Sequence, residues 1–114
     1  MNAPQDDWQK ILNFFARKFT GGEPPSLDTI LYLLGVQEVG QGTRRYSKQE
    51  KIDLMHVGLC TILEQTGHCR RTGTTPDGWP LFEQKKSLPP GDRERESLLR
   101  QGLIAYFRRN GLLD

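Results

Sequence analysis

The chain of 114 residues is 35% hydrophobic and 26% charged, which is typical of a globular protein and excludes a wholly disordered one. Its net charge of +2 is small, although residues 67–114 carry nine basic and six acidic side chains, which permits an anionic partner without requiring one. A polar N-terminus, no long apolar run and only two cysteines argue against a signal peptide, a membrane span and a secreted disulfide framework, so we expect a cytoplasmic protein.

Two helices are predicted in the first third of the chain. Apolar residues recur at helical spacing from Trp8 to Phe19 and predict a first helix over about residues 5–20, ended by a glycine pair. The following run "LDTILYLLGV" is apolar on nearly every side, which would also suit a buried strand. The N-cap residue Ser26 and the prolines before it favour a short buried helix over 27–36.

A capping-box pattern opens the longest predicted helix, over residues 47–66. Leu54 and Val57 point away from its main apolar stripe, and Gly58 would admit the close approach of another element. A helix that is apolar on more than one face is central or lies at a subunit contact. We therefore expect this helix to organise the fold and Leu54 and Val57 to contact a partner. The main stripe comprises Ile52, Met55, Leu59, Ile62 and Leu63.

A small β-hairpin is predicted over residues 68–84, because "TPDG" fits a type I turn and Pro80 suits an edge strand. A final helix is expected over 92–109. The sequence thus predicts a mainly α, four-helix single domain spanning residues 1–114, with the hairpin between the third and fourth helices.

The hairpin also carries two large aromatic side chains, Trp79 and Phe82. They could close over the core as a lid or anchor a protein partner, since aromatic residues dominate interface energetics. The lid is favoured because a small domain needs its large aromatics for burial. Both residues are nevertheless candidates for partner binding.

Four possible metal ligands lie close together in the sequence, namely His56, Cys60, His68 and Cys69. Zinc accepts such ligands, but no paired C-x-x-C spacing is present. Cys60 lies one helical turn from His56, as a thiol nucleophile and its base could, yet a cysteine in the middle of a helix usually serves as a small hydrophobe. Walker, H-E-x-x-H and nucleophile-elbow motifs are missing. We therefore predict no metal site, no cofactor and no enzymatic activity.

Basic residues support a second hypothesis. Three helices followed by a hairpin is the element order of a winged-helix nucleic-acid-binding protein, in which the third helix enters the major groove. The connection before the third helix is longer than a helix-turn-helix uses, and that helix lacks a polar face for reading bases. The residues that would contact nucleic acid are Arg44, Arg45, Lys48, Lys51, Arg70 and Arg71.

The runs "LDTILYLLGVQEVG", "SKQEKIDLMHVGLCTILEQTGH" and "PDGWPLFE" resemble those of a small bacterial protein family seen mostly in Bacteroidetes-type genomes. The resemblance covers roughly residues 27–107 and is least in the first helix. That family has no assigned substrate, cofactor or catalytic residue. The resemblance therefore implies only a bacterial, cytoplasmic, single-domain protein.

Taken together, these patterns favour a non-enzymatic protein–protein interaction domain. The excess of apolar residues on the third helix suggests a homodimer formed through Leu54 and Val57. The alternative is the winged-helix-like nucleic-acid binder. Neither hypothesis involves a membrane.

Overall fold

Four helices and one antiparallel hairpin follow each other along the chain. The structure is a computed structural model and describes residues 4–19, 21–23, 25–42 and 44–112. The predicted fold class is confirmed: the molecule is mainly α, with the hairpin between the third and fourth helices. The elements are α1 (Pro4–Lys18), α2 (Leu27–Val39), α3 (Lys48–Gln65), β1 (Cys69–Thr74), β2 (Pro80–Gln84) and α4 (Asp92–Arg109).

The helix starts that the sequence predicted are formed by local hydrogen bonds. At α2, the Ser26 hydroxyl accepts the Thr29 N–H at 3.2 Å. At α3, Ser47 and Glu50 form the full capping box: the Ser47 hydroxyl accepts the Glu50 N–H, and the Ser47 N–H donates to the Glu50 carboxylate at 2.9 Å. These bonds satisfy N–H groups that a helix start otherwise leaves without partners.

The predicted end of α2 at residue 36 is wrong, because the helix continues to Val39. Val39 is buried, and the next residue, Gly40, adopts a left-handed conformation with φ 73° and donates its N–H to the Val36 carbonyl. A side chain at that φ would be strained, so the glycine ends the helix at a point that apolar spacing alone did not indicate.

Helices α2 and α3 pack antiparallel with their backbones in close contact. A Cβ atom added to Gly58 would lie 2.1 Å from the Leu31 carbonyl oxygen, and one added to Gly35 would lie 1.9 Å from the Leu54 carbonyl oxygen. The predicted close approach at Gly58 is thus confirmed, and each helix contributes one glycine to the crossing.

Helix α3 is the central element, as predicted. Its far side packs on α4, where a Cβ on Gly102 would lie 2.6 Å from the Ile62 carbonyl oxygen. Helix α1 then closes the main core by packing Ile11 and Phe15 against α2 and Phe107 of α4. Four helices therefore share one apolar cluster, and α3 also contacts the hairpin.

Two expectations about exposed apolar residues are reversed. Leu54 is fully buried and Val57 is buried, both packed with Val39 and Tyr46 inside the chain. They therefore form no exposed partner face. Ile52, which the sequence placed in the main core stripe, is instead 52% exposed. The reason is that α2 and the hairpin cover the face of α3 that carries Leu54 and Gly58.

The first helix also ends differently from its prediction. Helix α1 stops at Lys18, and Phe19 follows in a turn with 55% of its surface exposed. The predicted boundary at residue 20 lies outside the described residues. Because Phe19 lies beyond the end of α1 and is exposed, it is not a buried member of the apolar stripe of that helix.

The hairpin folds back along α3 with its tip beside the start of that helix. The predicted turn is present, with the Gly78 N–H donating to the Thr75 carbonyl at 2.9 Å, and the register pairs Arg70 with Glu83 and Arg71 with Phe82. A bulge between Arg71 and Gly73 interrupts the pairing.

The aromatic side chains of the hairpin pack inward. Trp79 is half-buried against the cluster that contains Leu54 and Val57, and Phe82 packs on the same cluster and on the one around Cys60. Both side chains thus cover apolar surface of α3, which is the geometry of the lid.

Candidate functional site

An open groove of about 700 Å³ separates the hairpin tip from the start of α3. We call it the hairpin groove. Gln41 closes one end by donating its side-chain N–H to the Asp77 carbonyl at 3.0 Å. The walls combine apolar surface with carboxylates from α3 and the turn. The lining includes Arg44, Glu50, Asp53, His56, Val57, Asp77, Trp79, Pro80 and Leu81.

The single arginine of the hairpin groove is used to hold the loop before α3. The Arg44 guanidinium donates to the Glu50 carboxylate at 2.7 Å and stacks at 4.3 Å from the Tyr46 ring centroid. The pKa of Glu50 is lowered mainly because its carboxylate accepts the Ser47 N–H, and further because it accepts a hydrogen bond from Arg44. The charges of Arg44 and Glu50 cancel, so Asp53 and Asp77 leave the lining of the groove with an excess of negative charge. This lining does not favour a bound phosphate, although Arg45, Lys48 and Lys51 are exposed nearby.

The other predicted nucleic-acid contacts do not reinforce one another. Arg70 is paired with Glu83 at 3.2 Å, and Arg71, the next residue of the same strand, points to the opposite face. Arg45, Lys48 and Lys51 are exposed near the start of α3, whereas β1 begins beside its end. With α3 about 27 Å long at 1.5 Å per residue, these two groups sit toward opposite ends of the helix.

Helices α2 and α3 also lack helix-turn-helix geometry. Their reciprocal glycine contacts show an antiparallel pair, whereas the helices of that motif cross at about 90–120° after a turn of about 3–4 residues. Here residues 40–47 connect them. Leu54, Val57 and Thr61 on α3 are buried by other elements and cannot enter a groove of DNA.

A second pocket, of about 260 Å³, contains all four histidine and cysteine side chains that the sequence singled out. We call it the thiol pocket. The His56 Nε2 atom lies 3.5 Å from the Cys60 Sγ atom, Cys69 packs beside Cys60, and His68 Nδ1 lies 2.9 Å from the Thr66 hydroxyl. Among the described residues, no three histidine, cysteine or acidic side chains are arranged to hold a metal ion. The four residues meet but do not converge on a common point.

The thiol pocket does not activate its cysteines. Burial raises the pKa of the Cys60 thiol from 9.0 to about 12, and neighbouring Cys69 adds to the rise. Burial likewise raises the pKa of Cys69. A thiol nucleophile requires the opposite shift, since only the thiolate attacks. At neutral pH the Cys60–His56 contact therefore joins a protonated thiol to an imidazole.

We expect both cysteines to react slowly with iodoacetamide in the folded protein at pH 8. The Cys60 thiol of the folded chain should react roughly 100-fold or more slowly than in the chain unfolded in urea, because so little thiolate forms in the buried pocket, and Cys69 should also be slowed. The raised pKa also links the stability of the fold to pH, because the folded state holds the Cys60 proton more tightly than the unfolded state. The contribution of Cys60 to the free energy of unfolding is therefore complete below pH 9.0 and declines toward pH 12. Labelling followed by mass spectrometry measures the rates; equal rates in both states would contradict the burial of these thiols.

A third surface, which is lined mainly by apolar side chains, opens between α1, α2 and the end of α4. This apolar groove has a volume of about 270 Å³. Its floor reaches the buried core at Phe15, Leu34 and Phe107, while its rim carries Phe19 and Leu112, which are 55% and 45% exposed. The full lining is Phe14, Phe15, Phe19, Leu33, Leu34, Gln37, Tyr106, Phe107, Asn110 and Leu112.

Local backbone structure fixes the rim of the apolar groove. At the end of α4, Gly111 is left-handed with φ 70°, its N–H donates to the Arg108 carbonyl, and the Leu112 N–H donates to the Phe107 carbonyl at 2.8 Å. This is a Schellman motif, which characteristically brings the residue after the glycine back onto the helix. At the end of α1, the Phe19 ring packs against Phe15 at a centroid distance of 5.9 Å.

Sequence reasoning did not identify the apolar groove because three separate helices supply its lining. Two local signals were nevertheless present: adjacent apolar pairs at Phe14-Phe15 and Leu33-Leu34. Such pairs also occur in the apolar stripe of an ordinary surface helix, so they did not single out this surface. All four residues line the groove, with Phe14 and Leu33 the less buried member of each pair.

Comparison with known proteins gives no match to a family model, a curated protein or a solved structure. The resemblance to a bacterial family therefore stays a prediction. Among the described residues, no helix is both long and apolar enough to cross a membrane.

Proposed function

We propose that this protein is a non-enzymatic interaction domain that binds an apolar segment of a protein partner in the apolar groove. The observation that carries the proposal is the rim, where Phe19 and Leu112 expose apolar surface beside a cleft that reaches the core. Contiguous exposed apolar surface of this kind marks protein interaction sites, whereas scattered apolar residues do not.

Two features of the groove suit a protein ligand. Its rim offers only two uncharged polar side chains, Gln37 and Asn110, and the Asn110 amide is already bonded to the Tyr106 carbonyl at 2.8 Å. Binding would thus depend on apolar anchors with few directional contacts, as in grooves that accept one face of an amphipathic helix.

The other two surfaces support this choice of site. The thiol pocket holds protonated cysteines and its histidines do not converge, so it offers no activated nucleophile. The lining of the hairpin groove has an excess of carboxylates, and its arginine is bound to Glu50. Neither observation favours the alternative of nucleic-acid binding.

We expect N-acetylphenylalaninamide, a small mimic of an apolar anchor, to bind in the apolar groove. In a nitrogen–proton NMR titration at low protein concentration, the amide signals of Leu33, Gln37 and Asn110 should shift, while those of the hairpin tip should not. Binding of the aromatic ring would expel water from the apolar walls, which provides the driving force.

The chain offers a matched pair of control variants. Leu112→Ser removes a rim residue that is 45% exposed, and Leu81→Ser removes a hairpin residue that is 46% exposed. The first should weaken probe binding several-fold and the second should leave it unchanged. Shifts confined to the hairpin groove, or no shifts at all, would refute the proposed site.

A further inference from the structure

We propose that the partner is a second copy of the same chain, with the Phe19 ring of each protomer inserted into the apolar groove of the other. This inference rests on the proposed function, because it names the occupant of that same groove. It replaces the sequence-based hypothesis of a dimer through Leu54 and Val57, which are buried inside the chain.

The first argument is the fit between Phe19 and the groove. An apolar cavity of about 150 Å³ accepts a benzene ring, so a groove of about 270 Å³ has room for a phenyl side chain. Phe19 stands at the rim with 55% of its surface exposed. The groove floor is aromatic, with Phe15 and Phe107 at a centroid separation of 5.7 Å, and would meet an incoming ring edge to face or offset.

The second argument is symmetry. A two-fold interface uses the same surface on both protomers, so it must carry both the protruding group and the recess that receives it. Phe19 both projects from the surface and lines the recess. One two-fold contact would therefore fill two grooves and bury two exposed phenylalanine rings at once.

The third argument is charge. Two oppositely charged residues flank the groove: the Lys18 ammonium lies 5.5 Å from the Phe14 ring centroid, and the Glu38 carboxylate accepts the Tyr106 hydroxyl at 2.9 Å. Neither residue lines the groove itself, so the groove does not select a strongly acidic or basic partner. A second copy would bring the same two opposite signs to the contact.

The remaining cations near these helix ends are directed elsewhere. Arg108 pairs with buried Asp7, Arg109 donates to the Gln65 side chain at 3.1 Å, and Arg17 lines a recess with Lys10 on another side of α1. They would not place two like charges against each other in the dimer.

The apolar surface continues beyond the groove along the outer side of α2. Tyr32, Val36 and Tyr46 line an adjoining recess that shares Phe19 and Leu33 with the groove. Arg44 also lines this recess, and its charge is paired with Glu50. This extension enlarges the contact area. The exposed patch still remains below the roughly 800 Å² per partner of a standard interface, so we expect a weak, concentration-dependent dimer.

Sedimentation equilibrium of the full chain tests the inference. From about 10 μM to about 1 mM, the mean mass should rise from the monomer value of 13.1 kDa toward twice that value. Phe19→Ser should weaken association at least about 10-fold, since it removes the central anchor. The matched control is Ile52→Ser, which alters an equally exposed residue on α3 and should associate like the parent.

A second variant protects the test against misfolding of α1. Gln37 is exposed on α2 and lines the groove, so Gln37→Arg should leave the fold intact while it places a charge where the partner's Phe19 ring would enter. It should also abolish dimerisation. Circular dichroism and thermal melts of each variant confirm that the fold is retained.

The possible outcomes separate this inference from the proposed function. A chain that stays monomeric up to 1 mM, yet binds N-acetylphenylalaninamide in the groove, would overturn the dimer and retain the interaction site for a different partner. A dimer insensitive to both Phe19→Ser and Gln37→Arg would also overturn the inference, because it would use another face. Dimerisation competed by the probe would support both proposals.

Discussion

Replacing Gly58 by alanine is expected to destabilise the folded protein by about 3 kcal/mol or more. The added Cβ would lie 2.1 Å from the Leu31 carbonyl oxygen, which belongs to the α2 backbone and cannot rotate away. Overpacking in a core typically costs about 1–3 kcal/mol even where side chains can adjust. Here the whole of α2 must move, so the loss should reach or exceed the upper end of that range.

The measurement is urea unfolding of the purified variant, followed by circular dichroism. In an exposed helix, alanine would be favoured over glycine by about 1 kcal/mol, so a loss of stability at this position has the opposite sign to helix propensity. Gly73→Ala provides the control, because Gly73 has no atom within 4 Å of an added Cβ and should change stability by less than about 0.5 kcal/mol. A Gly58→Ala protein as stable as the parent would contradict the close packing of α2 on α3.

Replacing Leu54 by alanine is expected to cost about 2–5 kcal/mol of unfolding free energy, whereas Ile52→Ala should cost less than about 1 kcal/mol. Both residues are large, apolar and two positions apart on α3. Leu54 is 0% exposed and packs against Val57 and Tyr46, whereas Ile52 is 52% exposed. The difference therefore isolates burial from residue type.

The same pair of variants separates the two possible roles of Leu54. If Leu54 lay on a dimer face, its replacement would weaken association and leave the monomer nearly as stable as before. We expect the reverse: urea unfolding should show a large loss of stability for Leu54→Ala, and sedimentation under native conditions should show unchanged association of the folded fraction. Equal stability of the two variants would contradict the buried position of Leu54.

The capping box, the N-cap of α2, the turn and the glycine stops were predictable because each depends on residues close together in the chain. Ser47 and Glu50 bond each other across three residues, and the turn at Thr75–Gly78 closes within four. The end of α2 was harder, since Gln37 and Glu38 already look like loop. The left-handed Gly40 ends the helix, but the sequence offers several nearby glycines at which the helix could have ended instead.

The orientation of α3 was not predictable from its apolar spacing. Both faces of α3 carry enough apolar residues to be buried, so the number of apolar residues does not show which face is covered. A better signal was present in Gly58, which shares its face with Leu54 and Thr61 at helical spacing of four and three residues. A glycine in a helix indicates the face where another backbone approaches, and in this chain that face is buried against α2.

The candidate site was beyond the sequence for a related reason. Phe19, Leu33 and Leu112 are far apart in the chain. The sequence around each of them predicts only a core residue or the end of a helix. They become neighbours only when α1, α2 and α4 pack together. Conversely, His56, Cys60, His68 and Cys69 are near one another in the sequence and do meet, but their packing buries the thiols and raises their pKa.

The sequence by itself determined the number, order and type of the elements, because helix spacing, caps and turns are set by interactions within a few residues. The tertiary structure decided which side of α3 is buried, whether the thiols are reactive and where apolar surface remains exposed. Each of these depends on which distant segments exclude water from a given side chain. Burial is a property of the packed chain, and local sequence patterns constrain it without fixing it.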